Sequence, residues 1–169
     1  PGVTVDDLNA LGAGEAFEAL ERCCGAKAWV EEMVARRPFP AAEDAFRVAD
    51  DVWAGIGRND ILEAFRHHPR IGDVEGLRKK FASTATWASG EQAGAAAADE
   101  ATLQALAQGN TDYEARFGHI FIVCATGKSA AEMLAILEGR MPNEPDVELL
   151  VAAEQQRQIT RIRLEKLLS

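Results

Sequence analysis

Hydrophobic residues recur along most of the chain with the spacing of an α-helix. Phe17, Leu20 and Cys24 follow one another at steps of three and four residues, which places them on one helical face. A strictly alternating pattern, typical of half-buried strands, is almost absent. The pattern predicts helices over 14–23, 28–37, 41–55, 74–81, 130–141 and 145–168, and another that holds Ile61, Leu62 and Phe65 behind a cap at Asn59 or Asp60.

Several helix ends are marked by local signals. Thr4 followed three residues later by Asp7 predicts a capped short helix at the start of the chain. Ser129 is placed to cap the helix that begins at residue 130. Pro38 and Pro69 predict ends, because the residue before a proline is disfavoured in the α region.

A long alanine-rich helix is predicted in the second half of the chain. Ser89 with Gln92 at its third position has the pattern of a capping box. We expect this helix to run to about Gln108 and to break at Gly109-Asn110, with 112–117 forming a separate short helix.

One segment does not follow the helical pattern. Residues 119–125, HIFIVCA, are continuously apolar after the histidine and lie between Gly118 and Gly127. Such a short run is typical of a buried extended segment. No internal repeat or linker is evident. We therefore predict a single all-α domain over 1–169, a helical bundle of about 8–9 helices with one buried extended segment at about 119–125.

Composition and charge exclude several classes of protein. The 169 residues are 47% hydrophobic and carry a net charge of −9, which argues against a nucleic-acid partner. No apolar stretch approaches the ~18 residues of a membrane span, and the first residues lack the basic and apolar regions of a secretory signal. The three cysteines cannot all pair, so we expect a reducing, cytoplasmic location.

Cofactor and metal motifs are not recognisable. Ala125-Thr126-Gly127-Lys128-Ser129 looks like the end of a phosphate-binding loop, but Ile122 stands where the pattern needs a glycine. The ordinary interpretation is a loop followed by a serine helix cap. His67 and His68 are adjacent, so on a helix they point about 100° apart, and the cysteines lack metal-ligand spacing. We expect no cofactor and no metal.

Three side chains remain as candidates for chemistry. His68 lies at a helix end, where an imidazole can enter a pocket; the alternative is a histidine that interacts with the helix dipole. Glu91 lies in the first turn of a predicted helix, where a carboxylate is electrostatically favoured in any case. Arg163, near the C-terminus, is on residue type alone best interpreted as a surface arginine.

Taken in order, several short motifs resemble one family. They are Arg37-Pro38-Phe39, His68-Pro69-Arg70-Ile71-Gly72, Ser89-Gly90-Glu91-Gln92-Ala93-Gly94, Tyr113-x-x-Arg116-Phe117-Gly118-His119-x-Phe121-Ile122 and Arg161-x-Arg163-Leu164. The ordered set resembles the OHCU decarboxylase family over nearly the whole chain. OHCU is 2-oxo-4-hydroxy-4-carboxy-5-ureidoimidazoline, a late intermediate of urate breakdown.

The resemblance implies roles for particular residues. His68 would be the catalytic histidine, Glu91 the carboxylate beside it, and Arg163 the arginine that holds an acidic group of the substrate. The substrate-contacting positions that it implies are Pro69, Ala88, Ser89, Gly90, Gln92, Phe121, Ile122, Val123, Cys124 and Ala125. At Ala88 some relatives carry a hydroxyl residue, so one hydrogen bond to the substrate would be lost here. His119 receives no role.

The implied reaction is the cofactor-independent decarboxylation of OHCU to (S)-allantoin, with a small ureidoimidazoline as the binding partner. Some relatives fuse this domain to a transthyretin-like hydrolase, for which 169 residues leave no room, so we expect the preceding hydrolysis to occur elsewhere. The alternative is a non-catalytic, acidic, all-α interaction module. A homodimer is left open in either case. Convergence of His68, Glu91 and Arg163 on one pocket would distinguish the enzyme from the module.

Overall fold

The computed structural model describes residues 2–70, 73–81 and 93–169. In these residues the chain is helical, with no β-strand, so the predicted all-α class is confirmed. The helices of the described residues are α1 (Val5–Ala10), α2 (Ala13–Glu21), α3 (Lys27–Ala35), α4 (Ala42–Gly55), α5 (Arg58–Arg66), α6 (Val74–Lys80), α7 (Ala93–Phe117), α8 (Ala130–Arg140) and α9 (Pro145–Leu167).

The helix starts follow local hydrogen bonding. Thr4 and Asp7 exchange two backbone-to-side-chain bonds of 3.0 Å, and Ser129 caps α8 with the help of Glu132. Both predicted caps are confirmed. The predicted cap of α5 is wrong, because the cap is Gly57 and both Asn59 and Asp60 lie inside the first turn. There the Asp60 carboxylate complements the positive end of the helix dipole.

Helix α7 does not break at Gly109-Asn110, and the predicted short helix 112–117 is its last part. The glycine is explained by packing. A Cβ atom at Gly109 would lie 3.0 Å from the nearest methyl carbon of Leu137 on α8. The missing side chain therefore lets two helices approach closely, and the apolar surface buried by that approach outweighs the low helix propensity of glycine.

The contacts of the chain divide into two compact units. The first contains Pro1–His68 and Ala153–Ser169. Its core surrounds Trp29, which has no exposed surface and donates an indole hydrogen bond of 3.1 Å to the Ala49 carbonyl. The second contains Pro69–Ala152, and its apolar cluster consists of Leu77, Leu103, Leu106, Ala107, Met133 and Leu137. The predicted domain bounds of 1–169 stay a prediction.

The segment predicted to be extended belongs to the second unit and is neither helix nor strand. Ile122 and Cys124 are buried, while Phe121, Val123 and Ala125 pack against the apolar cluster. The predicted burial is confirmed at Ile122 and Cys124, and the other residues of 119–125 are half-buried. Among the described residues, no helix has the length and apolar character needed to cross a membrane.

Candidate active site

His68 lies just beyond the end of α5, as predicted. Its backbone N–H bonds to the Phe65 carbonyl at 3.2 Å, and its half-buried imidazole turns toward α9. There His68 Nε2 lies 2.5 Å from Gln156 Oε1. The neighbouring His67 is more exposed, and its ring packs so closely on Gly25 that a Cβ atom there would overlap it. The two adjacent histidines therefore have different surroundings.

A line of buried polar side chains continues behind His68. Gln156 has no exposed surface, and its amide nitrogen donates a 3.0 Å hydrogen bond to Thr160 Oγ1. Thr160, which is 6% exposed, in turn lies beside the Cys24 thiol. A buried amide needs such partners, because an unpaired polar group in the interior is costly. We call His68, Gln156, Thr160 and Cys24 the neutral relay.

Arg163 extends the same face of α9. Gln156, Thr160 and Arg163 are spaced by four and three residues, so they lie in one row that rises ~10.5 Å along the helix. Arg163 is exposed and makes no ion pair with any residue that the structure describes. Its charge still acts nearby. Burial raises the pKa of Cys24 to about 11, and the Arg163 charge lowers it in part.

Arg161 differs from Arg163 in its contacts. It forms a 2.7 Å ion pair with Glu165, and its guanidinium lies 4.4 Å from the ring centroid of Phe46. Arg161 is thus engaged by the protein surface, whereas the row of α9 presents the Arg163 guanidinium next to the neutral relay. Gln156, which contacts His68, and Arg163 lie on the same face of α9 by their spacing, and the roles predicted for His68 and Arg163 stay predictions.

The other predicted site residues fall into two groups. Glu91, with Ala88, Ser89, Gly90 and Gln92, lies outside the described residues, so its roles stay predictions. Pro69 and the segment Phe121–Ala125 belong to the second unit, in which Pro69 is exposed.

The segment 121–125 is held by a buried charged cluster that the sequence analysis missed. Arg140 Nη2 lies 2.5 Å from Glu148 Oε2, and the same oxygen accepts a hydrogen bond from the Tyr113 hydroxyl. Asn143 Nδ2 donates to the other Glu148 oxygen at 3.1 Å. We call Arg140, Glu148, Tyr113 and Asn143 the charged cluster. Glu148 has no exposed surface, so its charge depends on its contacts with these three partners.

The charged cluster reaches the segment through one arginine. Arg140 Nη1 donates a 2.8 Å hydrogen bond to the Ile122 carbonyl, and its guanidinium lies 4.7 Å from the ring centroid of Phe121. Lys128 Nζ donates to the Cys124 carbonyl at 2.8 Å. Two carbonyl oxygens of the segment are thus each held by a cationic side chain, and the predicted substrate contacts of the segment stay predictions.

The loop that looks like a phosphate site has protein contacts of its own. Lys128 is bonded to the Cys124 carbonyl, and Ser129 caps α8, as the ordinary interpretation predicted. In the part of the chain that the structure describes, no group of three or more histidine, cysteine, aspartate or glutamate side chains is arranged to hold a metal ion.

Comparison with known proteins identifies the family. The model of the OHCU decarboxylase family matches residues 9–165. The chain belongs to the OHCU decarboxylase family. It is 31% identical over 172 residues to 2-oxo-4-hydroxy-4-carboxy-5-ureidoimidazoline decarboxylase of Amia calva, with 95% of this chain and 92% of that protein covered.

Longer relatives contain this family domain as a part. The chain is 39% identical over 151 residues to the uric acid degradation bifunctional protein TTL of Arabidopsis thaliana, covering 87% of this chain and 45% of that protein. It is 26% identical to the bifunctional protein PucL of Bacillus subtilis (strain 168), covering 98% of this chain and 33% of that protein. The chain thus spans less than half the length of these two bifunctional relatives.

A solved structure agrees with the fold. A crystal structure of OHCU decarboxylase in the presence of (S)-allantoin superposes with a TM-score of 0.71 at 36% sequence identity, covering 88% of this chain and 95% of that one. The similarity extends to the helical architecture and, at this identity, to the family.

Proposed function

We propose that this chain decarboxylates OHCU and releases (S)-allantoin. Family membership supports the reaction class, and a relative that is 36% identical was crystallised with (S)-allantoin. In the chain itself, the observation that carries the proposal is the 2.5 Å contact between His68 and the fully buried Gln156. That contact orients the imidazole from a helix face that also presents Arg163.

The substrate can accept the electrons itself. When the bond between the ring carbon and the carboxyl group breaks, CO2 leaves and the electron pair forms a C=C bond to the neighbouring carbon. The electrons of the former C=N bond move to nitrogen, which takes a proton. The resulting enol is then protonated on one face at the neighbouring carbon, and its hydroxyl becomes a carbonyl. This route needs a positioned acid and a positioned anion site.

His68 and Arg163 fit those two needs. An imidazole can exchange a proton near neutral pH, and an oriented ring delivers that proton to a single face of the enol, which sets the product's handedness. Arg163 offers a planar fork that binds a carboxylate through two hydrogen bonds. Glu91 is proposed as the carboxylate beside His68, on the resemblance alone.

The cellular location and the oligomeric state of the chain are also proposals. The three cysteines are buried and form no disulfide in the described structure, which is compatible with activity in the reducing cytoplasm. A second copy of the chain, in a homodimer, stays a prediction. The alternative function, an acidic interaction module without catalysis, receives less support, because such a module does not require a buried glutamine bonded to a histidine.

The test compares adjacent histidines. The purified chain is given freshly generated OHCU, and the allantoin formed is followed by circular dichroism. We expect the circular dichroism signal of (S)-allantoin with the wild type, and we expect His68→Asn to lower turnover by about 10²-fold or more, as for loss of a general acid.

His67→Asn is the matched control, because it removes a neighbouring ring from a different environment. We expect it to lose much less activity than His68→Asn. Racemic allantoin at the uncatalysed rate would contradict the proposed function, and the reverse ranking of the two variants would move the acid to His67.

A further inference from the structure

The hydrogen bonds of the neutral relay run in one direction. The side-chain nitrogen of Gln156 can only donate, and it donates to Thr160 Oγ1 at 3.0 Å. The hydroxyl oxygen of Thr160 is therefore the acceptor in this contact. The side-chain amide of Gln156 is therefore oriented by Thr160.

This orientation fixes what His68 meets. With its nitrogen bonded to Thr160, Gln156 presents its carbonyl oxygen to His68 Nε2 at 2.5 Å. A carbonyl oxygen carries no proton, so the hydrogen in this contact belongs to the imidazole. The reversed amide would place an N–H group against Nε2 and would demand the other tautomer.

We propose that Gln156, itself held by Thr160, is a positioning residue that keeps His68 protonated on Nε2 and thereby assigns the exchangeable catalytic proton to Nδ1. The use of that proton in decarboxylation rests on the proposed function. The tautomer of the neutral His68 ring does not depend on that function. In the ionised ring both nitrogens carry hydrogens, and the Nδ1 proton is the one given up. The Nε2 proton stays in the bond to Gln156.

A neutral relay suits this role. Gln156 and Thr160 are nearly inaccessible to water, at 0% and 6% exposure, so solvent does not compete for their hydrogen bonds. Neither side chain titrates, so the orientation does not change with pH. Reversing the buried amide would disrupt its bonds at both ends, and buried polar groups without partners are strongly disfavoured.

The experiment uses the full chain labelled with ¹⁵N. Long-range ¹H–¹⁵N correlation spectra, recorded without substrate at a pH where the ring is neutral, distinguish the protonated from the unprotonated nitrogen of an imidazole. The His68 signals are assigned by their loss in His68→Asn. We expect a protonated Nε2 and an unprotonated Nδ1 in the wild type.

Two variants at Thr160 test the relay without touching His68 or Gln156. Thr160→Val keeps the shape but cannot accept from the Gln156 amide, so we expect the Nδ1-protonated tautomer to appear and turnover to fall about tenfold, less than for loss of the acid itself, with little change in KM. Thr160→Ser keeps the hydroxyl and is the matched control, expected to restore the wild-type spectrum and turnover.

The outcomes separate the two proposals. A wild-type ring protonated on Nδ1, or a Thr160→Val protein with the wild-type ring state and turnover, would overturn the positioning role. Circular dichroism and thermal unfolding show whether each variant folds. If the wild type did not act on OHCU, the proposed function would fail, yet the spectra would still decide whether Gln156 sets the tautomer.

Discussion

The two compact units bury polar side chains in contrasting ways. In the first, the neutral relay joins an imidazole, an amide, a hydroxyl and a thiol, with no ion pair among them. In the second, the charged cluster buries a guanidinium against a carboxylate, with side-chain exposures of 9% and 0%. The relay can orient a side chain because its bonds have direction. The cluster can hold a backbone segment because a buried charge tolerates few other arrangements.

The two units also use arginine differently. Arg140 is paired inside the protein, because it forms an ion pair with Glu148 and donates a hydrogen bond to the Ile122 carbonyl. Arg163 is exposed beside the neutral relay and has no ion-pair partner among the described residues. Its guanidinium group is therefore available to bind an anion. The comparison therefore predicts that changes in the charged cluster reduce stability, and changes around the relay reduce catalysis.

The largest effect is expected at Arg140. Arg140→Met leaves Glu148 buried without its main partner, and removing one side of a buried pair costs roughly 3–5 kcal/mol. Urea unfolding followed by circular dichroism measures the loss. Arg36→Met is the matched control, because Arg36 pairs with Glu32 on the surface and such pairs contribute about 0–1 kcal/mol. Equal losses for the two variants would remove the distinction between the charged cluster and an ordinary surface pair.

What the sequence could predict follows from the range of the interactions. The caps at Thr4 and Ser129 depend on residues three positions away, so local patterns suffice. The continuation of α7 through Gly109 depends on Leu137, which is distant in sequence, so local signals predict a helix break at this glycine instead. A close helix contact and a helix end use the same residue type, and only the tertiary fold distinguishes them.

The site divides in the same way. His68 and Arg163 were found through motifs of the family, whereas Gln156, Thr160 and Glu148 were missed. Each of the three is a common residue on exposed helix faces, and nothing in its type indicates burial. The one available signal was that Gln156, Thr160 and Arg163 share a helix face by their spacing, a weak pattern until His68 is known to lie against it.

A binding effect is expected at Arg163, where the charge is available. Arg163→Ala should weaken apparent substrate binding by about 1.5–3 kcal/mol, the range for a lost hydrogen bond to a charged group, with unfolding unchanged. Arg163→Lys should also be impaired, since a point charge does not replace a fork. Steady-state kinetics measure both. Arg161→Ala, which removes a contact to Phe46, should keep its KM; damage equal to that of Arg163→Ala would mean that neither arginine is specific.

The smallest effect is expected in the pH dependence of the free energy of unfolding, to which Glu148 of the second unit contributes. Burial raises the pKa of Glu148, but hydrogen bonds from Arg140, Tyr113 and Asn143 outweigh it, so the pKa lies below its ordinary value. The stability that Glu148 contributes is therefore present above the pKa of an unfolded glutamate, about 4.3, and is lost as the pH falls through the folded value. Each unit of difference amounts to about 1.4 kcal/mol.

Urea unfolding from pH 6 down to about pH 3 should show this dependence on pH. We expect the wild type to lose free energy of unfolding more steeply than Glu148→Gln, whose side chain does not titrate. Glu18→Gln, on the exposed side of α2, is the control and should keep the wild-type slope. The Thr160→Val protein should keep that slope too, because the relay carries no carboxylate. If Glu148→Gln kept the wild-type slope of unfolding free energy against pH, the charged cluster would not be the source of the acid sensitivity. The charged cluster and the neutral relay would then not differ in how they make stability depend on pH.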